Sequence, residues 1–254
     1  MIAKVPPLFP VNGKTISKDV YDLNVSITNK LRREMLHEIG SKLNEVLFCK
    51  AYKYTRTSEY LSRMFESINH NSTIINALDK IRKIDECTFI HSINTSFYSM
   101  FIAMCMGLNE QQVINATQAG LLHDIGKIYL PNELLNKRGN LDKEEYEIIK
   151  KHTLYGYFLL NEFGDFNLEV RRAVLFHHER IDLSGYSLGA CPDYVGVISK
   201  IVSVADVYDA MTTDRIYKKG IAPTLAMKFL STDGMKILDN EVINVFRANM
   251  PIGL

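Results

Sequence analysis

Residues 109–130 read NEQQVINATQAGLLHDIGKIYL, and this stretch decides the fold class. Asn109 precedes an apolar-periodic run with Gln112 at capping-box spacing, and Gly126 follows as a C-terminal stop. A helix is therefore predicted over EQQVINATQAGLLHDI. The same punctuation recurs along the chain. Asp142 with Glu145 opens KEEYEIIKKHTLYGYFLLNEF, which ends before Gly164, and Asn167 opens LEVRRAVLFHHER. A further apolar-periodic run covers 195–211, and shorter helices are expected near 224–230 and 240–249, the last stopped by Pro251. Six or more helices with short connections predict an all-α multi-helix bundle over residues 56–254. Residues 1–55 differ: Pro6, Pro7 and Pro10 come first, then mixed helical and strand-like signals, most strand-like from Val20 to Val25. They are expected to form a small N-terminal extension of mixed structure.

Bulk properties narrow the function classes. Lys+Arg number 30 against 29 Asp+Glu, a net charge of +1, so nothing general attracts DNA, RNA or an anionic membrane. A phosphate-bearing ligand would have to be held by a local site. Cys49, Cys87, Cys105 and Cys191 form no CxxC pair, which argues against a disulfide framework and a thiolate zinc site, and fits a reducing cytoplasm. No apolar segment of signal-peptide length opens the sequence. The most apolar stretch, Phe97 to Leu108, is too short and too polar to span a bilayer, so a cytoplasmic protein without membrane insertion is expected.

Five of the seven histidines fall between positions 91 and 178: His91, His123, His152 and the adjacent His177 and His178. His123 and Asp124 interrupt the apolar run GLLHDIGKIYL, and Asp206 interrupts IVSVADVYDAM. Burying an unpaired carboxylate costs several kcal/mol or more. A divalent cation is the simplest compensation. Imidazole with carboxylate suits iron, manganese, zinc or nickel, whereas magnesium and calcium favour oxygen ligands. Five histidines and two aspartates exceed what one ion can use, and a carboxylate such as Asp124 can bridge two. Two ions about 3.5–4 Å apart can ionise a water and stabilise in-line displacement at phosphorus. Singly, each residue has an ordinary reading: a surface or hydrogen-bonded His91, an exposed helix end at HHER, a solvated face at Asp206 and Asp209, surface cations at Lys127 and Arg215. Jointly these readings require all seven ligand-type residues to be incidental.

The set LLHDIGK (121–127), the upstream His91 in DECTFIHS, NLDKEEYEIIKKH ending at His152, HHER (177–180), Gly185–Tyr186 and VADVYDAMTTDRIYK (204–218) resembles the HD-GYP phosphodiesterases of the HD superfamily. The resemblance covers about residues 76–246, in the family's order and approximate spacing. It implies an HD-domain-like helical bundle that hydrolyses cyclic di-GMP to linear pGpG and on to GMP. It also implies that His91, His123, Asp124 and Asp206 hold one metal and His152, His177 and His178 the second, with Asp124 shared. Iron or manganese is the implied metal, with zinc or nickel as alternatives. Lys127 resembles the lysine that reaches the scissile phosphate, and Tyr186, Arg215 and Lys218 resemble contacts to guanine and phosphate. Signalling proteins and a second copy of the chain are compatible partners.

The chain departs from the family pattern in the loop over the substrate. Where the family reads HHERWDGSGYP this chain reads HHERIDLSGYS, with Ile181, Leu183 and Ser187 at the changed positions. Leu183 cannot take a glycine's positive φ cheaply if the loop requires it. In trinuclear members a glutamate lies four residues before the first histidine; Cys87 stands there, with Glu86 one residue off, so two metals are expected rather than three. The changed loop leaves two alternatives open. One is a catalytically weak module that binds cyclic dinucleotide or another protein. The other is an HD phosphohydrolase acting on another nucleotide, 3′,3′-cyclic GMP-AMP included.

Overall fold

A computed structural model describes residues 54–69, 71–137, 139–190, 192–214 and 219–250, together with helical positions 30, 31, 33, 34 and 37. The strand-like stretch 20–25, Cys49, Cys191, Arg215 and Lys218 lie outside the described residues. The helices are α1 (Tyr54–Asn69), α2 (Ser72–Ile84), α3 (Glu86–Cys105), α4 (Glu110–Leu122), α5 (Asn132–Leu135), α6 (Lys143–Lys150), α7 (His152–Phe163), α8 (Leu168–Phe176), α9 (Val197–Thr212), α10 (Pro223–Phe229), α11 (Met235–Ile237) and α12 (Asn240–Asn249). The expected all-α bundle is what forms, and no described helix is long and apolar enough to cross a membrane.

The bundle is built around α3, which packs on α4 and α9 and is buried along nearly its whole length. It buries Ser92, Ser96 and Ser99, and at Ser96 the small side chain lets α4 come close. A Cβ on Gly120 of α4 would sit 2.7 Å from Ser96 Cα, and Ser96 Oγ donates to Thr117 O across the same contact at 2.9 Å. At the far end Phe246 of α12 wedges among Tyr98 and Phe101 of α3 and Tyr208 of α9, with ring centroids 6.1, 6.3 and 4.9 Å away. Edge-on contacts of this kind add to the area they bury.

Three helices end earlier than the sequence suggests. The helix from Asn109 keeps its capping box but stops at Leu122, with His123 as its cap. Asp124 then leaves helical geometry (φ −97, ψ 5), and a 3₁₀ turn spans Ile125–Tyr129. Gly126 is therefore not a C-terminal stop. Its role is close approach: a Cβ there would lie 2.0 Å from His152 O and 2.4 Å from Gly156 N, so the turn after α4 lies directly on α7. The run opened by the Asp142–Glu145 capping box divides at Lys151, whose N–H bonds back to Ile148 O at 3.1 Å, giving α6 and α7 in place of one helix. The helix from Asn167 stops at Phe176, so the HHER residues form a turn.

That turn carries the loop 181–190. Glu179 is buried, and its Oε1 accepts from Ser187 N at 3.0 Å and Leu188 N at 2.8 Å, while Tyr186 N donates to His178 O at 3.1 Å. Gly185 lies so close to the turn that a Cβ would be 2.4 Å from His178 O. Ser187, where the HD-GYP pattern has proline, uses the N–H that proline lacks and donates its hydroxyl to Leu175 O at 2.7 Å. Leu183 has φ 64, the one positive φ among described non-glycine residues, and its side chain is 59% exposed.

Two stability measurements check this account. Gly126→Ala forces two backbone segments apart and should destabilise the protein by about 1–3 kcal/mol in chemical denaturation; unchanged stability would mean the turn and α7 are not in contact. A left-handed conformation costs a non-glycine residue about 1–2 kcal/mol, partly offset by the greater backbone entropy of glycine in the unfolded chain, about 0.5–1 kcal/mol. Leu183→Gly should therefore gain up to about 1 kcal/mol, and a measured loss would contradict the loop conformation.

Candidate metal centre

The bundle brings all seven ligand-type residues to one place. His91 lies one turn into α3, His123 caps the C-terminus of α4, and Asp124 follows in the turn. His152 opens α7, His177 caps α8 with His178 beside it, and Asp206 lies within α9. Two groups of potential ligand atoms result, His91 with His123 and Asp124, and His152 with His177 and His178, each gathered within 4.8 Å. Asp124 joins them: its Oδ2 is 3.3 Å from His123 Nε2 and its Oδ1 3.3 Å from His152 Nε2. Asp206 also faces both, with Oδ1 3.0 Å from His91 Nε2 and Oδ2 4.0 Å from His178 Nδ1. The sequence assigns Asp206 to one group only; the structure sets it between them.

One local device orients three of the imidazoles. His123 Nδ1 bonds Gly120 O at 2.8 Å, His152 Nδ1 bonds Ile149 O at 2.7 Å, and His177 Nδ1 bonds Val174 O at 2.9 Å, each three residues back. Carbonyls in the last turn of a helix have no partner within the helix, so an imidazole at the helix end is a natural donor to them. With Nδ1–H committed, Nε2 of a neutral ring is a bare acceptor aimed into the centre. His91 is held instead by Asp209, whose Oδ2 lies 2.7 Å from its Nδ1.

This arrangement passes a direct test of fit for a cation. His152 Nε2 and His177 Nε2 are 3.4 Å apart, and His123 Nε2 is buried without a hydrogen-bond partner. Bare acceptors facing one another and two carboxylates repel unless positive charge lies among them. Lys127, whose Nζ is 2.6 Å from Asp124 Oδ2, answers one carboxylate oxygen but not the imidazoles.

The protonation states of His152, His177 and His178 suit metal binding, whereas His91 carries a proton that a cation would have to displace. Burial presses His152 down to about 4 and His178 to about 3, and holds His177 well below its ordinary value, so all three are neutral donors at pH 7. Burial alone would raise Asp124, but Lys127 and His123 outweigh it and keep the carboxyl ionised; His91 does the same for Asp206. Burial opposes charge on His91 too, yet its bonds to Asp206 and Asp209 lift it to about 9.

Tyr186 stacks on His178, with centroids 4.6 Å apart and planes 27° apart. A cleft of about 280 Å³ runs beside Lys127, lined by Asp85, Cys87, Thr88, Asn136 and Lys137 among others. The sequence reading passed over two residues here. Asp209, fully buried behind His91, reads in isolation as the partner of Asp206 on a solvated face. Glu179 reads as a helix-end charge, whereas it fastens the loop that carries Tyr186.

Comparison with known proteins matches residues 85–242 to the HD domain family. The chain is 33% identical over 182 residues to a cyclic di-GMP phosphodiesterase of Pseudomonas aeruginosa, covering 72% of this chain and 44% of that protein. It is 33% identical over 230 residues to a cyclic di-GMP phosphodiesterase of Thermotoga maritima, covering 88% and 61%. A 3′3′-cGAMP-specific phosphodiesterase of Vibrio cholerae is 30% identical over 151 residues, covering 59% of this chain and 33% of that protein. The chain thus spans about half the length of the curated relatives it matches. Among solved structures, an HDGYP protein from Bdellovibrio bacteriovorus superposes with a TM-score of 0.56 at 17% identity, covering 94% of this chain and 74% of that one. The extent of the family match, and a helical bundle whose His123–Asp124 pair stands at the centre of the converging imidazoles, make this chain a member of the HD domain family.

Proposed function

We propose that this chain is a metal-dependent phosphodiesterase that hydrolyses a cyclic dinucleotide, foremost cyclic di-GMP, to linear pGpG and on to GMP. The observation that carries the reading is the position of Asp124. Its two oxygens address imidazoles of the two separate ligand groups while Lys127 neutralises one of them from the open side. His91, His123, Asp124 and Asp206 would hold one divalent ion, and His152, His177 and His178 the other, with Asp124 shared. Mixed imidazole and carboxylate donors suit iron, manganese, zinc or nickel, and the resemblance to HD-GYP phosphodiesterases puts iron or manganese first. Such ions supply Lewis-acid activation of water and neutralisation of the phosphoryl oxygens.

The chain's own groups then have defined tasks. Lys127, on the rim, places a fixed ammonium against the phosphate where negative charge develops. Tyr186, Arg215 and Lys218 would contact guanine and phosphate, as the resemblance to HD-GYP phosphodiesterases implies. Curated relatives named as cyclic di-GMP phosphodiesterases support this substrate class. The catalytic unit corresponds to residues 56–254, with 1–55 as an extension. A relative named as 3′3′-cGAMP-specific favours a second reading, in which the mixed cyclic dinucleotide is the preferred substrate.

Purification without air, metal analysis and hydrolysis assays on a panel of cyclic dinucleotides test the reading. Asp124→Ala should lose most bound metal and all measurable turnover. Lys127→Ala should keep its metal and lose about 10²–10³-fold in rate, the range for removing one fixed charge-stabilising donor. An Asp124→Ala protein with full metal content and activity would refute the assignment.

A further inference from the structure

We infer that Tyr146 and Lys150 of α6, together with Tyr186, form a subsite for one purine nucleotide unit, with the base stacked on Tyr146 and Lys150 on its phosphate. The inference rests on the phosphodiesterase reading for where the reacting phosphate lies, and adds residues that the sequence motifs do not single out.

Rings lead outward from the metal centre in an unbroken series. Tyr186 stacks on His178, and the Tyr146 ring meets Tyr186 edge-on, 6.2 Å between centroids and 79° between planes. Tyr146 is 45% exposed, and α6 buries none of its residues fully, so this tyrosine gives little to the core. Lys150, one turn further along, holds Nζ 4.7 Å from the Tyr146 centroid and 5.7 Å from that of Tyr186. Its other partner is Glu147 Oε1 at 2.6 Å, an exposed pair that an incoming phosphate can replace. His152 opens the next helix two residues later, so α6 is tied to the centre by a single turn.

The start of α6 is rigid. Asp142 and Glu145 exchange capping bonds, and Lys137 holds Glu145 from the preceding loop. An aromatic pair with its outer ring, Tyr146, half-exposed beneath an ammonium matches the chemistry of a nucleotide: rings stack on every base, and the cation meets the anionic linkage. If these contacts served only α6, the variants below would alter helix stability and leave affinity unchanged.

Calorimetric titration of the metal-loaded full chain with pGpG carrying a hydrolysis-resistant methylenephosphonate linkage, called pGpG below, and with ribose 5-phosphate as a probe lacking a base, tests the subsite. Tyr146→Ala should weaken pGpG about tenfold while leaving ribose 5-phosphate unchanged, and Tyr146→Phe should restore pGpG binding because it keeps the ring. Lys150→Ala should weaken both probes, and Lys150→Arg should restore them. Unchanged pGpG affinity in Tyr146→Ala overturns the inference, as does equal weakening of both probes in that variant, or a wild-type protein that fails to bind pGpG. Turnover by the wild type is scored separately. Hydrolysis of cyclic di-GMP with a silent Tyr146→Ala defeats the subsite alone, whereas pGpG binding through Tyr146 without hydrolysis of any cyclic dinucleotide defeats the proposed activity alone.

Discussion

Two carboxylates almost sealed from water, Asp124 at 2% and Asp206 at 8% exposure, set the terms for the structure around them. An ionised carboxylate in such a position demands compensation by charge or hydrogen bonds. What surrounds these two is mostly acceptor: the Nε2 atoms of His123, His152 and His177 face inward because their Nδ1 hydrogens are already given to backbone carbonyls. The bundle therefore concentrates electron pairs. Burial keeps the His152 and His177 rings neutral, which is the condition under which a cation outcompetes a proton.

Holding such a centre requires a frame that does not yield, and close backbone approach provides it. Gly120 brings α4 against α3, and Gly126 brings the turn after α4 against α7. Three ligand-bearing segments are thus fixed relative to one another by contacts too tight for a side chain. The turn His177–Arg180 is fixed differently, by Glu179 reaching into the following loop and by Arg180 Nη1 donating to His177 O at 3.0 Å and Ser203 Oγ at 2.9 Å on α9. The loop that presents Tyr186 and the turn that presents His177 and His178 are consequently tied together by hydrogen bonds. A change in the loop is a change at the metal centre, even though Ile181, Leu183 and Ser187 are not among the ligand-type residues.

The fold class and the convergence of the ligand-type residues were legible because polar residues in apolar helical runs are conspicuous. His123–Asp124 and Asp206 interrupt patterns whose other positions are buried, and the capping boxes at Asn109 and Asp142 form as their spacing implies. Three helix ends were not legible, those at Leu122, Lys150 and Phe176, whereas the ends before Gly164 and Pro251 fall where the sequence puts them. Gly126 fits the local grammar of a stop, but its real constraint is the backbone of His152 and Gly156, some thirty residues away in sequence. Asp209 was obscured in the same way, since three-residue spacing from Asp206 says nothing about which face of α9 meets α3. Tyr146 and Lys150 lie inside the NLDKEEYEIIKKH run, but that run marks only His152 as a ligand: an aromatic and a lysine four apart on an amphipathic helix are ordinary until the loop with Tyr186 is laid beside them.

The early endings of α4 and α8 belong to the design of the site. A helix C-terminus carries partial negative charge and a helix N-terminus partial positive charge. α4 and α8 direct their C-termini at the centre through His123 and His177, while α7 presents its N-terminus through His152, beside Asp124 Oδ1. Had α4 continued to Gly126, His123 and Asp124 would lie on a helical surface about 100° apart and could not both face inward. Stopping at Leu122 frees Asp124 to turn between the two imidazole groups, leaves carbonyls for the histidines to bond, and adds negative potential where cations are wanted. Helix termination, close packing and ligand geometry are in this sense a single constraint, met at one pair of residues.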